Sequence, residues 1–383
     1  MSGTIVLIAG IAILAAIAGG AAWQSLKARR NARGRNRRGV LLQLRPSLEL
    51  TISPTDQKGK TVTVLEQFLR YVDGWRERME ETEPAYSLEV HATGAGGYGF
   101  YLWTTAEDAK LMATTLGSKY ELPYEVPAGD EPMARFAEKL ADERGYPRIP
   151  NFYTGEFRLT APAYLPIREW QPAKDSDDPM EGIYGILDAF RDRNGVAGFI
   201  LTCKPADRDW REDGLAHLKS MEFGIRQPST PGERLRSMGE PDPVPKKQQL
   251  DAFKRDELAA VTGKMKQHAF EAVIRIYSTN WEVYQLLRDA VERRFRGDYN
   301  GIGLASYPVS LHDMAGRWFD RSDMVLTPSE IASICHFPDS RTQAGRLHRG
   351  SSRTALPPEG LPTIREGSRT DIFSLLDGIG VER

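Results

Sequence analysis

Apolar residues recur along this chain in short stretches of period two and longer stretches of period three to four, and their order predicts a repeating α/β pattern. Residues 40–52 alternate apolar and polar around Pro46, as a strand or two short ones do. Residues 61–80 place Val62, Val64, Leu65, Phe68, Leu69, Val72 and Trp75 at helical spacing. Residues 87–93 and 100–104 read as strands joined by a glycine-rich turn, 105–120 as a helix and 124–126 as a short closing strand. That order, β-α-β-β-α-β, is the ferredoxin-like arrangement. It partly recurs. Residues 157–161 read as a strand, and a helix follows Asp178-Pro179, with Asp as N-cap and Pro at the first position. Then come a strongly apolar strand at 196–203, a helical stretch from 207 to about 224, a helix at 247–267, a strand at 268–278, a helix at 281–296 and an apolar stretch at 302–307.

The first apolar run differs from the others. Residues 4–23 carry no charge, and about 20 helical residues at 1.5 Å each span a hydrocarbon core of roughly 30 Å. Lys27, Arg29, Arg30, Arg33, Arg35, Arg37 and Arg38 follow at once. A cleavable signal has its basic residues before the apolar region, and here they come after it. The positive-inside rule therefore places the N-terminus outside and the basic cluster, with everything after it, in the cytoplasm. The small residues 18–21 keep a cleaved signal as the alternative. The basic cluster reads as a topology determinant, with contact to anionic lipid, or to DNA near the membrane, as the functional alternative.

The predicted fold class is thus α+β: a single N-terminal transmembrane helix, two ferredoxin-like α/β units and a flexible C-terminal tail. The boundaries are an anchor at 1–26, a basic juxtamembrane segment at 27–39, a first unit at 40–150 and a second at 151–318. A proline-rich insertion at 227–249 interrupts the second unit. Residues 319–383 form a capped helix and a mostly disordered tail. The predicted location is the inner membrane, single-pass, with the soluble part in the cytoplasm.

Composition narrows the function more than it defines it. With 40% hydrophobic and 27% charged residues in 383, the chain excludes collagen, wholesale disorder and a polytopic membrane protein. Once the seven basic charges are set aside the remainder is acidic, which argues against a dedicated nucleic-acid module. Two cysteines, Cys203 and Cys335, exclude a disulfide framework and a four-Cys zinc site.

Candidate chemistry is sparse. Residues 94–99, GAGGYG, fit GxGxxG in form. A dinucleotide loop must open a helix, and a strand follows here, so the glycines read as a hairpin. No GxxxxGK[ST], HExxH or GxSxG occurs. Cys335-His336 is poorly spaced to share a metal, and Asp175, Asp177 and Asp178 read as helix-start carboxylates. No catalytic residue, cofactor or metal site is predicted. Trp281, Tyr284 and Leu287 read as core, whereas Phe100, Tyr101 and Trp103 are a candidate stacking platform on a sheet.

The clearest local signal is Leu326-Thr327-Pro328-Ser329-Glu330, a capping box with Pro at N1 before IASICHF. Ile331, Ile334 and Phe337 make one apolar stripe on that short helix. Two readings stay open: the stripe packs on the second unit, or it docks on a partner.

Taken together, SLEVHATGAGGYGFYLWTTAEDAKLMATTLGSKYELPYEV, DPMEGIYGILDAFRDRNGVAGFILTCKPA, EAVIRIYSTNWEVYQLLRDAVERRF and LTPSEIASICHFP resemble the N-terminal, pre-ATPase portion of TraG-like and coupling-protein ATPases of bacterial conjugation and type IV secretion. The resemblance covers roughly residues 40–362. It implies membrane anchorage and a place in a DNA-transfer machine, with a separately encoded P-loop motor ATPase and other secretion subunits as partners. Nucleic acid would be met indirectly, and oligomerisation is compatible with it. Where the family continues into its nucleotide-binding strand, this chain ends at Arg383, so no ATP hydrolysis is implied. The alternative is a membrane-anchored nucleic-acid-binding protein using a ferredoxin-like sheet.

Overall fold

The computed structural model describes residues 39–45, 58–59, 62, 85–117, 124–125, 151–172, 174–175, 177–206, 209–223, 250–306, 308–319, 322–336 and 345–348. The first half contains β1 (Gly39–Leu44), β2 (Tyr86–Thr93), β3 (Gly97–Thr105), α1 (Ala106–Gly117) and β4 (Tyr124–Glu125). The second half contains β5 (Tyr153–Leu159), α2 (Glu181–Ala189), β6 (Val196–Pro205), α3 (Asp209–Phe223), α4 (Ala252–Met265), β7 (Phe270–Ser278), α5 (Trp281–Arg294) and β8 (Ile302–Ser306). A last segment adds α6 (Leu311–Ala315), β9 (Val325–Leu326) and α7 (Pro328–Ile334).

All of these strands join one antiparallel sheet, ordered β4-β1-β3-β2-β6-β7-β5-β8, with β9 paired to β7. The expected architecture, a membrane-crossing helix followed by two separate ferredoxin-like units, is therefore corrected. Among the described residues no helix is long and apolar enough to cross a membrane. The run 4–23, the basic residues 27–38, most of the helix expected at 61–80 and the proline-rich stretch 227–249 lie outside those residues. The two groups of strands also do not stand apart. Left alone, β2 and β6 would each end a sheet with a row of unpaired N–H and C=O groups. Instead they pair with each other from Tyr86↔Cys203 to Thr93↔Val196.

Alternation along each strand sorts its side chains onto two faces. On one face Phe270, Ala272, Ile274 and Ile276 of β7, with Phe199 and Leu201 of β6, meet Ile183, Tyr184 and Leu187 of α2 and Tyr284, Leu287 and Val291 of α5. Each large apolar side chain buried there contributes about 1.5–3 kcal/mol. Asn280 caps α5 by accepting the Val283 N–H, and Asp251 caps α4 by accepting that of Lys254.

The other face is also covered, across its second half, by residues 308–319 and 322–324. Val309, Leu311 and Met314 pack there on Phe152, Ile200 and Tyr277. This double covering buries every residue of β7. It also divides the expected aromatic platform. Phe100 lies in the helix-side core, while Tyr101 and Trp103 are buried on the opposite side.

Candidate functional site

The segment after β9 is tied into the body at almost every residue. Thr327 Oγ1 accepts the Glu330 N–H at 3.3 Å, and Glu330 Oε2 accepts the Thr327 N–H at 2.8 Å, completing the capping box. Glu330 Oε1 then accepts the Ile167 N–H at 3.0 Å and pairs with Lys264 Nζ at 3.1 Å, both partners of the ion pair being fully buried. Ser333 Oγ accepts the Trp170 N–H at 3.0 Å. His336 Nε2 stands 3.0 Å from Asp178 Oδ1 and Nδ1 2.9 Å from the Ala332 carbonyl, and the ring stacks on Trp170 at 4.6 Å. The Tyr184 hydroxyl donates to the His336 carbonyl.

Two expectations are corrected here. Ile331 and Ile334 have no exposed surface and belong to the main core, so the apolar stripe serves this chain's own packing and is not offered to a partner. Phe337 lies outside the described residues. Asp178 is not the cap of α2: Met180 holds that position with no side-chain cap. Asp178 instead accepts the Met180 N–H at 2.7 Å and holds His336. The sequence carries no signal for that pairing, because the two residues are far apart in the chain.

Cys335 and Cys203 lie in the same core. Burial, and then the Glu89 carboxylate, pushes the Cys335 thiol up to about 12, and burial drives Cys203 well above the ordinary thiol range. Thiolates are the reactive species. The native protein is therefore expected to be inert to Ellman's reagent, with two equivalents released only on unfolding in guanidinium. Release from the native state would show that this core opens.

A second constellation lies on the opposite face, under residues 308–319. The Tyr277 hydroxyl is 2.7 Å from His91 Nδ1, and His91 Nε2 is 2.6 Å from Glu89 Oε2. A carboxylate only accepts, so His91 Nε2 donates to Glu89 while Nδ1 faces the phenol. Arg317 closes the chain: its Nε and Nη2 donate to the two Glu89 oxygens at 2.8 and 2.9 Å. Its guanidinium lies 5.7 Å from the Trp103 ring centroid. Burial would raise the Glu89 carboxyl, but Arg317 and the His91 hydrogen bond outweigh it and hold the carboxyl far below its usual range.

A hydroxyl, an imidazole and a carboxylate in line have the form of a nucleophile relay. Here burial, and then the Glu89 charge, pushes the Tyr277 phenol well above its ordinary value. Glu89, His91, Tyr277 and Arg317 are each at least 97% buried. The arrangement fastens the covering segment to the sheet. Among the described residues Arg317 is the non-glycine residue with a positive φ, 48°. Its neighbours are held as well: Arg275 donates to the Asp313 and Trp318 carbonyls at 3.1 and 2.8 Å while pairing with Glu156 at 2.9 Å.

Residues 345–348 supply a third contact. Tyr98 and Leu347 form a parallel bridge, in line with β1 where β1 stops. Arg346 donates from its backbone to Asp188 at 2.7 Å and from its guanidinium to the Phe190 and Gly94 carbonyls at 2.6 and 2.8 Å. The glycine-rich hairpin is the seat of this contact. Gly97 has φ +92°, and a Cβ there would stand 2.2 Å from the Arg346 carbonyl oxygen.

Comparison of the chain with protein families and with curated proteins gives no match.

Proposed function

We propose that this chain is a non-enzymatic component of a bacterial conjugation or type IV secretion apparatus, acting at the cytoplasmic membrane with a P-loop motor ATPase. The observation that carries the reading is the placement of residues 326–336, the segment on which the resemblance to coupling-protein ATPases leans most. It is a fixed part of the body, held by the Glu330–Lys264 and His336–Asp178 pairs. The chain leaves it at one defined point and is gripped again at 345–348. Such an exit suits a scaffold that presents a tail to a motor. The nucleic-acid alternative has less support, since Tyr101 and Trp103 are buried and one of them lies beside Arg317.

Three measurements test the proposal. A donor cell lacking this chain is expected to lose plasmid transfer to background while still nicking the transfer origin, and the chain is expected to co-purify with the motor ATPase from membranes. Unimpaired transfer would sink the reading. The purified chain is expected to show no ATP turnover, since its sequence holds no GxxxxGK[ST] motif of the kind that cradles the β- and γ-phosphates.

A further inference from the structure

The contact made by residues 345–348 is built around one imidazole. Its backbone part is short: the Tyr98 N–H donates to the Arg346 carbonyl at 3.0 Å, and the His348 N–H to the Tyr98 carbonyl at 2.7 Å. The His348 ring then reaches both the glycine-rich hairpin and the end of β1. Nε2 stands 2.9 Å from the Gly96 carbonyl, and Nδ1 3.1 Å from Gln43 Nε2. Gly99 makes room for the ring, since a Cβ there would lie 3.0 Å from Nδ1.

The partners decide which protonation state fits. A carbonyl only accepts, so Nε2 donates to Gly96. The Gln43 amide is held one way round by Arg45, whose Nε and Nη2, both donors, lie 2.8 and 2.6 Å from Gln43 Oε1. The amide nitrogen therefore faces Nδ1 and donates to it. A neutral imidazole with its proton on Nε2 satisfies both contacts. An imidazolium does not, since its Nδ1–H would point at the N–H of Gln43.

Charge acts in the same direction. Arg45 lies on β1's side of that amide, and Arg346 belongs to the contact itself, with its guanidinium on the neutral carbonyls of Phe190 and Gly94. On β3, the Tyr101 hydroxyl accepts from Gln43 Nε2 at 3.4 Å, and burial raises that phenol, so it brings no negative charge. The hairpin from Thr93 to Gly97 holds no titratable side chain. On α2, Asp188 accepts the Arg346 N–H at 2.7 Å, and in the loop that follows Asp192 accepts the Asn194 N–H while Arg191 donates to the Phe190 carbonyl. Among the described residues no carboxylate bonds the His348 ring. A proton on Nδ1 thus meets a donor, with two guanidinium groups nearby and no countercharge on the ring.

We propose that residues 345–348 are an acid-released clasp. With His348 uncharged the ring fastens the segment to the hairpin; protonation breaks the Gln43 contact, adds a like charge beside Arg45 and Arg346, and frees the segment. Imidazole is the side chain that ordinarily changes charge between about pH 5 and 8. The released state binds one proton more than the fastened one, so the grip is complete at the alkaline end of that range and is lost as pH falls. The point at which the tail is held becomes a control point, whether or not the tail serves a motor.

The test places a nitroxide on Gly345→Cys in the full chain. That glycine is exposed, an added Cβ meets nothing within 4 Å, and Cys203 and Cys335 are buried. From about pH 7.5 to about 5.5 the mobile component of the spectrum is expected to grow about three- to tenfold against the immobile one, the effect of losing one hydrogen bond, with circular dichroism unchanged. His348→Gln, whose amide supplies the same donor and acceptor without titrating, is expected to stay immobile throughout. Gln43→Glu, which turns the donor facing Nδ1 into an acceptor, is expected to reverse the trend. A label equally mobile at both ends of the range, or the same growth in either variant, overturns the proposal. A second reading needs no label. In the unaltered chain the His348 ring nitrogen shifts, assigned by their loss in His348→Gln, are expected to place the proton on Nε2 at about pH 7.5. A proton on Nδ1 there overturns the proposal as well.

Discussion

Glu89→Gln is expected to lower the melting temperature by roughly 10 °C. The substitution removes the carboxylate charge that two nitrogens of the buried Arg317 guanidinium hold. Breaking a buried pair from one side costs about 3–5 kcal/mol, and in a chain of this size each kcal/mol moves the midpoint by roughly 2–4 °C. The cause is distinguishable from general damage. Replacing both partners, Glu89→Leu with Arg317→Met, removes the uncompensated charge and is expected to recover most of the loss. The pH dependence has a fixed sign. The Glu89 carboxyl is depressed in the folded state, so its contribution is complete above the unfolded value of about 4.3. It is lost progressively as pH falls below that value toward the depressed folded one. Urea midpoints between about pH 3 and 7 are expected to rise with pH in the unaltered chain and to rise less in Glu89→Gln. Equal slopes would show that the pair carries no such linkage.

The second large effect is in α7. Ile331→Asp and Ile334→Asp each place a carboxylate in the main core with no partner. The group must be either desolvated or protonated, at a cost of several kcal/mol. Either change is expected to leave no cooperative unfolding transition at 37 °C by circular dichroism. Ile331→Val, which trims one methylene, is expected to cost only about 0.5–1.5 kcal/mol. A variant carrying aspartate that melted normally and lost a partner would return the helix to the surface.

Where the signal was local, the elements were legible in the chain. The strand readings at 87–93 and 268–278 placed β2 and β7 to within two residues, and four residues from Thr327 to Glu330 fixed the start of α7. Its stripe was readable as apolar, but the surface that receives it was not. The loop 165–170 and Lys264 that fasten α7 are distant in sequence and give no periodic sign. The polar positions of SLEVHAT carry no sign in the sequence of the cover they receive. In the structure they are Ser87, Glu89 and His91, all buried. Their cover arrives more than two hundred residues later, with Arg317. The edge pairing of β2 with β6 was invisible for a related reason. Each strand looks complete in its own βαββαβ set, and only the rows of unsatisfied backbone groups at their edges show that the two belong together. The tail contact was hidden by its composition, since a polar, arginine-rich stretch gives no hint that one guanidinium caps two carbonyls.

The β2–β6 join also matters during synthesis. β6 leaves the ribosome about a hundred residues after β2, which at ordinary elongation rates is on the order of ten seconds. Throughout that interval the first half displays a bare, eight-residue edge, the kind of template on which neighbouring nascent chains on a polysome pair with one another. Glu89 and His91 sit in the middle of that strand and, before Arg317 exists, keep one of its faces charged or polar and hydrated. The same carboxylate that later fastens the covering segment thus guards the unfinished chain against aggregation.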